Sequence, residues 1–294
     1  MALLTPVHIR ELADQLGIRP TKTLGQNFVH DAGTVRRIVR DAGVSQGDLV
    51  LEVGPGLGSL TLAILEAGAV LSAIEIDPPL AAALPSTIEA MMPEARDRFA
   101  VLLRDALKVR HGGLAVPALY AQAHPGQPYE PTHLVANLPY NVAVPVILTL
   151  LEELASLRSV TVMVQLEVAD RLAAEPGSRV YGAPSAKANW YADVRRGAKI
   201  SRNVFWPVPN VDSALVHFDR PESARYPEEL REATFDVVDA AFAQRRKTLR
   251  GALASWAGSP AQAEAIVRGA GVDPTLRGER LSIEDFVKIA SAAR

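Results

Sequence analysis

Short apolar runs, each closed by a turn and most followed by a helical pattern, constrain the fold of this chain more than any other feature. Leu49-Val50-Leu51-Glu52-Val53 comes after the turn Gly47-Asp48 and ends in glycines. An apolar run of that length between turns reads as a buried parallel strand. Residues 70–76, 99–103, 133–136, 160–165 and 213–218 repeat the pattern. Between them lie helical patterns at 34–42, 59–67 and 79–92; in the first, Val35, Ile38 and Val39 share one side and arginines the other. Strands alternating with helices make βαβ units, so the predicted class is α/β with a doubly wound, mostly parallel sheet. The last run closely follows the loop Trp206-Pro207-Val208-Pro209, which predicts an antiparallel pair at the sheet edge. The proline-rich stretch 122–131 is expected to be exposed. Beyond Pro221 the strand signal stops, and 227–293 read as helices only. The expected organisation is therefore an α/β domain over 1–220, opening on a helical segment at 1–45, and a small all-helical domain over 221–294.

Composition narrows the chemistry. The chain has 294 residues, 48% hydrophobic and 22% charged, a globular balance. It has no cysteine, which removes disulfides, thiolate metal sites and cysteine nucleophiles together. Its six histidines show no metal-ligand spacing, so no metal is expected. No run of 18 uncharged apolar residues suggests a membrane span, and Arg10 and Glu11 interrupt any signal-peptide core, so a cytoplasmic location is expected. The net charge of −2 conceals sorting: residues 187–202 and 242–250 are each net basic, whereas 219–239 is net acidic. Such blocks are solvated faces or, on a neutral protein, a local phosphate-attracting surface.

Gly54-Pro55-Gly56-Leu57-Gly58 occupies a strand-to-helix turn, where glycine lets backbone approach a ligand closely. Glu75 follows 21 residues after Gly54, at the end of the next strand, where a carboxylate can accept from both ribose hydroxyls. Together they place a nucleoside across the carboxyl ends of the first two strands of the sheet. The spacing G-x-G-x-G differs from the dinucleotide fingerprint G-x-G-x-x-G, since Ser59 stands at the sixth position. It resembles motif I of class I S-adenosylmethionine (SAM) methyltransferases, and Asp105 fits that class's contact to the adenine amino group. Asn137-Leu138-Pro139-Tyr140, after the fourth run, resembles the amine-binding box of amino-methyltransferases. Its chemistry suits an adenine N6 amine, whose lone pair is delocalised into the ring. Acceptors on both N–H groups, the Asn137 side-chain oxygen and the Pro139 carbonyl, favour a pyramidal nitrogen, and Tyr140 can stack on the base.

Lys22-Thr23-Leu24-Gly25-Gln26-Asn27-Phe28-Val29, the segments around Gly54, Glu75, Asp105 and Asn137, residues 205–214 and residues 242–250 together resemble the KsgA-type rRNA adenine dimethyltransferases. The resemblance covers about 21–290. It implies a class I methyltransferase domain with a small helical C-terminal domain. The implied activity is dimethylation, from SAM, of N6 on each of two adjacent adenines near the 3′ end of small-subunit rRNA. The implied substrate is a partly assembled 30S subunit, and a monomeric enzyme is expected. Carried over, Asn27, Val29, Gly54, Gly56, Glu75, Asp105 and Asn137 contact SAM. Asn137, Pro139 and Tyr140 hold the amine, and Phe205 stacks on a flipped adenine. Arg245, Arg246, Lys247 and Arg250 touch rRNA phosphates. Tyr181-Gly182-Ala183-Pro184 departs from the family pattern and leaves the start of the local helix open. An Erm-type enzyme acting on large-subunit rRNA is the alternative within the class. A non-catalytic ribosome-assembly or transcription factor and an oxidoreductase are the alternatives outside it.

Overall fold

A computed structural model describes residues 3–18, 27–139 and 142–294. The chain runs through α1 (Pro6–Gln15), β1 (Phe28–Val29), α2 (Ala32–Asp41), β2 (Leu49–Val53), α3 (Ser59–Glu66), β3 (Val70–Glu75) and α4 (Pro78–Met91). It continues through β4 (Phe99–Leu103), α5 (Ala118–Ala123), β5 (His133–Asn137), α6 (Ala143–Glu153), β6 (Ser159–Gln165), α7 (Leu166–Leu172) and α8 (Ala183–Tyr191). After these come β7 (Asp193–Ile200), β8 (Phe205–Trp206), β9 (Ser213–Asp219) and the helices α9 (Arg231–Ala243), α10 (Leu249–Ala252), α11 (Ala254–Ala257), α12 (Pro260–Gly269) and α13 (Ile283–Ala292). Two compact units result, one of Met1–Ala169 with Arg196–Asp219, the other of Asp170–Arg195 with Arg220–Arg294.

The first unit is built on a seven-stranded sheet in the order β4-β3-β2-β5-β6-β9-β7. The pairs from β4 to β6 are parallel, and β9 runs antiparallel to β6. The antiparallel pair, β6 with β9, lies one strand in from the sheet edge at which the sequence predicted it, because β7 covers β9. Burial explains the apolar runs: Val50, Leu51, Leu71, Ala73 and Ile74 on β2 and β3 are fully buried or nearly so. The strand order reverses at β2, with β3 on one side and β5 on the other, which opens a crevice at their carboxyl ends. Tyr129 corrects the picture of the proline-rich loop as exposed. Its neighbours up to residue 128 are exposed, but its ring is buried. Its hydroxyl is shared between the carbonyls of Val50 and Val70, 3.0 and 2.7 Å away.

The second unit is helical and takes in residues 170–195, which the sequence grouped with the sheet. Aromatic packing explains the grouping. Trp190 lies 5.0 Å from Tyr226 and 5.8 Å from Phe235, and Tyr181 lies 5.9 Å from Phe242, between ring centroids. Within this unit α8 starts at Ala183 despite the departure at Ala183-Pro184. Pro184 occupies the first turn, where an N–H would have no helical acceptor. Ser185 secures the turn, accepting from the Gly182 N–H at 3.1 Å and donating to the Arg171 carbonyl at 2.5 Å.

Strand β7 went unread in the sequence because its Asp-Val-Arg-Arg-Gly-Ala-Lys-Ile pattern is polar, as befits an edge strand. Gly197 in its middle is demanded by its neighbours. A Cβ there would lie 2.8 Å from His217 Cδ2 and 2.9 Å from Leu215 Cβ. We expect Gly197→Ala to destabilise the protein by about 1–3 kcal/mol through overpacking. Gly251→Ala meets nothing closer than 3.5 Å and serves as the control, expected to be neutral or stabilising by up to about 1 kcal/mol. Thermal denaturation of the two variants separates a steric role from a general intolerance of alanine.

Candidate active site

The crevice at the reversal of strand order holds a cavity lined entirely from the first unit. It collects Asn27, Val29, Gly54, Gly56, Glu75, Asp105, Asn137 and Pro139 from four strand ends and the segment at β1. The sequence scattered these residues over more than a hundred positions, and the fold brings them together.

Backbone geometry makes the glycine loop. Gly54 and Gly56 have φ of 69° and 58°, a region costly for any side chain. Gly56 is doubly restricted, because a Cβ there would lie 2.9 Å from the Phe28 ring. Glu75, at the end of β3, holds the loop in place. One carboxylate oxygen accepts from the Gly56 N–H at 3.0 Å, and the other accepts from the N–H groups of Ile76 and Asp77 at 2.8 and 3.0 Å. The oxygen that accepts from Gly56 alone keeps an open acceptor site. Asp105, at the end of β4, accepts from the Leu107 N–H at 3.0 Å and lines the cavity beside it.

At the end of β5, Leu138 is buried and its N–H donates to the Met163 carbonyl at 3.1 Å. This anchor leaves Asn137 and Pro139, on either side of it, at the cavity wall. The Asn137 amide nitrogen donates to the Asn27 carbonyl at 3.2 Å, so its Oδ1 remains as an acceptor. Tyr140 lies outside the described residues, as does 19–26, which includes most of the Lys22-to-Val29 motif.

Phe205 does not reach this cavity. It pairs in register with Val29 across β1 and β8, and its ring is 1% exposed, held in the core. The basic block belongs to the second unit. There Arg245 pairs with Glu279 at 3.0 Å and donates to the Arg179 carbonyl, while Arg250 pairs with Glu264 at 3.2 Å. Arg246 and Lys247 are exposed and have no ion-pair partner among the described residues.

Glu52 was missed as a site residue. It lines the cavity beneath the glycine loop, is 1% exposed, and accepts from the Thr61 hydroxyl at 2.7 Å. An acid inside the apolar run of β2 was the available signal. Burial pushes its carboxyl up to about 8, against the Thr61 hydrogen bond and aided by the charge of Glu75. Burial also raises Glu75, opposed by its backbone donors from Asp77, Gly56 and Ile76. Ser59, another lining residue, has a buried hydroxyl with no hydrogen-bond partner among the described residues.

The donor set tests what can bind. Glu52, Glu75, Asp77 and Asp105 line the cavity, and among the described lining residues Arg104 is the one cation. Such a wall repels a pyrophosphate and accepts a nucleoside that carries a cationic tail. A carboxylate after β3 and another after β4, with a glycine loop between sheet and helix, fit the ribose, base and cationic methionyl portion of SAM. Fold and site together define a class I SAM-dependent methyltransferase.

Comparison with known proteins narrows the class. The family model for ribosomal RNA adenine dimethylase matches residues 18–294, and the chain belongs to that family. It is 60% identical over 289 residues to the ribosomal RNA small subunit methyltransferase A of Streptomyces avermitilis, covering 98% of this chain and 93% of that protein. It is 61% identical to the protein of the same name from Thermobifida fusca, covering 98% and 95%. Among solved structures, a dimethyladenosine transferase from Plasmodium falciparum superposes with a TM-score of 0.71 at 21% identity, covering 89% of this chain and 95% of that one. The 23S rRNA methyltransferase ErmE superposes with a TM-score of 0.64 at 23% identity, covering 90% and 99%. These two likenesses bear on the fold.

The raised Glu52 carboxyl has a consequence for stability. Its ordinary value is 4.5 and its folded value about 8, so the folded state keeps a proton that the unfolded chain has lost. Its contribution is present in full below about pH 4.5, falls as pH rises, and levels off above about 8. Glu52→Gln should therefore gain on the wild type across that window, by an amount on the order of a few kcal/mol. Melting temperatures measured from pH 5 to 9 check this; a constant offset between the two proteins would contradict it.

Proposed function

We propose that this protein transfers methyl groups from SAM to N6 of two adjacent adenines near the 3′ end of small-subunit rRNA, giving N6,N6-dimethyladenosine. The observation that carries the reading is the Asn137 side-chain oxygen Oδ1, left as an acceptor beside Pro139 at the wall of the acid-lined cavity. The 60% identity to proteins named small subunit methyltransferase A supports the small-subunit substrate over a large-subunit one. A partly assembled 30S subunit is the substrate form we infer, and a cytoplasmic monomer the working state.

Asn27, Val29, Gly54, Gly56, Glu75, Asp105 and Asn137 would hold the cofactor. Bound there, SAM supplies an electrophilic methyl group on a cationic sulfur. The protein's task is to present the amine. Asn137 Oδ1 and the Pro139 carbonyl would accept from the two N6 hydrogens, which localises the nitrogen lone pair and aims it. Proline brings no competing N–H and a fixed φ. Both acceptors also stabilise the positive charge that grows on nitrogen as the new bond forms. The proton lost afterwards needs no strong base, because the methylated ammonium of an aromatic amine is acidic. Tyr140 is assigned to stacking on the base from the family pattern. The buried Phe205 ring gives no support for a second stacking partner. Of the basic block, Arg246 and Lys247 would meet phosphate, a role supported by their exposure and by the lack of an ion-pair partner among the described residues.

Asn137→Ala should lower the methylation rate by about 10²–10³-fold, the usual loss when one group stabilising the developing charge is removed. RNA binding should be nearly unchanged. Purified protein offered both ribosomal subunits with labelled SAM should label small-subunit rRNA. Label mainly on large-subunit rRNA, or undiminished turnover by Asn137→Ala, would overturn the reading.

A further inference from the structure

The two-stranded pair β1–β8 is a minor piece of the fold by size, yet it touches the group on which the proposed chemistry turns. Phe28 stands opposite Trp206 and Val29 opposite Phe205 in antiparallel register. The His30 N–H extends the pairing to the Val204 carbonyl at 2.9 Å. The Phe28 and Trp206 rings stack with centroids 6.4 Å apart and planes 24° from parallel. Phe28 also packs against Gly56, where a Cβ would lie 2.9 Å from the ring. Phe28, Val29 and Phe205 are buried, so the clasp has a fixed seat. The next residue before it is Asn27, whose backbone carbonyl accepts from Asn137 Nδ2 at 3.2 Å.

An asparagine amide has a donor end and an acceptor end of nearly the same size. Facing a cavity, either end could point inward. A carbonyl fixed beside it decides the matter, because a carbonyl can only accept and therefore faces the NH2 end. The oxygen is then turned to the cavity. Reversed, the amide would set oxygen against oxygen at Asn27 and offer two hydrogens to an amine that itself must donate.

We propose that the β1–β8 clasp, closed by Trp206 on Phe28, is the positioning device that fixes the orientation of the Asn137 amide for the target amine. This rests on the amine-binding reading given above. Trp206 acts through Asn27 and Asn137 and is a positioning residue. It is not among the residues lining the cavity.

The test uses the full-length enzyme with small-subunit rRNA at saturating SAM, so that weaker cofactor uptake does not enter kcat. Trp206→Ala should lower kcat about tenfold, the worth of one neutral hydrogen bond lost from the transition state. Trp206→Phe keeps an aromatic ring on Phe28 and should restore most of that loss, which separates loosening of the clasp from misfolding. The decisive arm is Asn137→Asp. A carboxylate has two equivalent oxygens and no end to select, so Trp206→Ala in that background should change kcat less than twofold. The inference is overturned if Trp206→Ala leaves kcat at the wild-type level, or if it exacts the same tenfold loss in the Asn137→Asp background. Failure of the underlying reading looks different: Asn137→Ala would then methylate as fast as the wild type, whatever Trp206 does.

Discussion

Everything at this site depends on β2 having parallel neighbours on both sides whose connections leave in opposite directions. Chain after β2 turns towards β3, and chain after β5 turns the other way towards β6. The two loops part above the sheet, yet remain close at their base: a Cβ on Gly54 would lie 3.8 Å from the Asn137 carbonyl. A nucleoside can therefore be gripped at once by the loop after β2, the acid ending β3 and the acid ending β4, while the loop after β5 presents a second set of groups to a different molecule. The cofactor and the target of the proposed reaction would share one crevice, because one backbone reversal creates it. The relation of two substrates to a single divergence is a property of the topology, and side chains only decorate it.

Electrostatics decides which cofactor the crevice takes. Several carboxyl groups crowd its wall, and two of them, Glu52 and Glu75, are almost wholly buried. Left to itself a fold avoids such crowding, because each buried charge is costly and each raises its neighbour's affinity for a proton. Glu52 responds by holding its proton near neutral pH, and Glu75 by recruiting three backbone N–H donors. The same crowding disfavours phosphate and suits a ligand with a cationic sulfur and ammonium. The glycine loop by itself admits either kind of nucleotide, and the acids discriminate between them.

The central strands were legible in the sequence because burial on both faces leaves a plain mark, a short unbroken apolar run. The residues at their carboxyl ends were legible for the same reason: once strands are placed, their last residues point to the crevice. Strand β7 escaped because one of its sides has no neighbour and its arginines and lysine follow no apolar rule. Residues 170–195 were grouped with the sheet because chain order says nothing of the aromatic contacts that Tyr181, Trp190 and Tyr191 make with later helices. The position of Phe205 is of this kind too. Its neighbour Val29 is remote in sequence, and only pairing shows that the ring is committed to the core. Charge blocks misled in a similar way. Lys187 of one block pairs with Asp239 of the opposite one at 2.7 Å, and Arg245 and Arg250 are bound by Glu279 and Glu264, so composition overstated the free positive charge.

The β1–β8 pair joins the start of the α/β unit to its last strands, which has a consequence for how the site is assembled. The glycine loop, Glu75 and Asp105 come from a contiguous stretch of βαβ units, and local contacts can form them early. The orientation of Asn137 comes from elsewhere. It waits on Asn27, which is set by Phe28, which in turn is set by Trp206 after nearly all of the sheet has been made. A fragment of this domain could thus own a cofactor pocket and still present the wrong end of its key amide. Tying the acceptor to the most distant pairing in the unit means that the amine-binding geometry exists only in the completed fold. The sequence distance that hid Trp206 from inspection is the same distance that makes it a check on completeness.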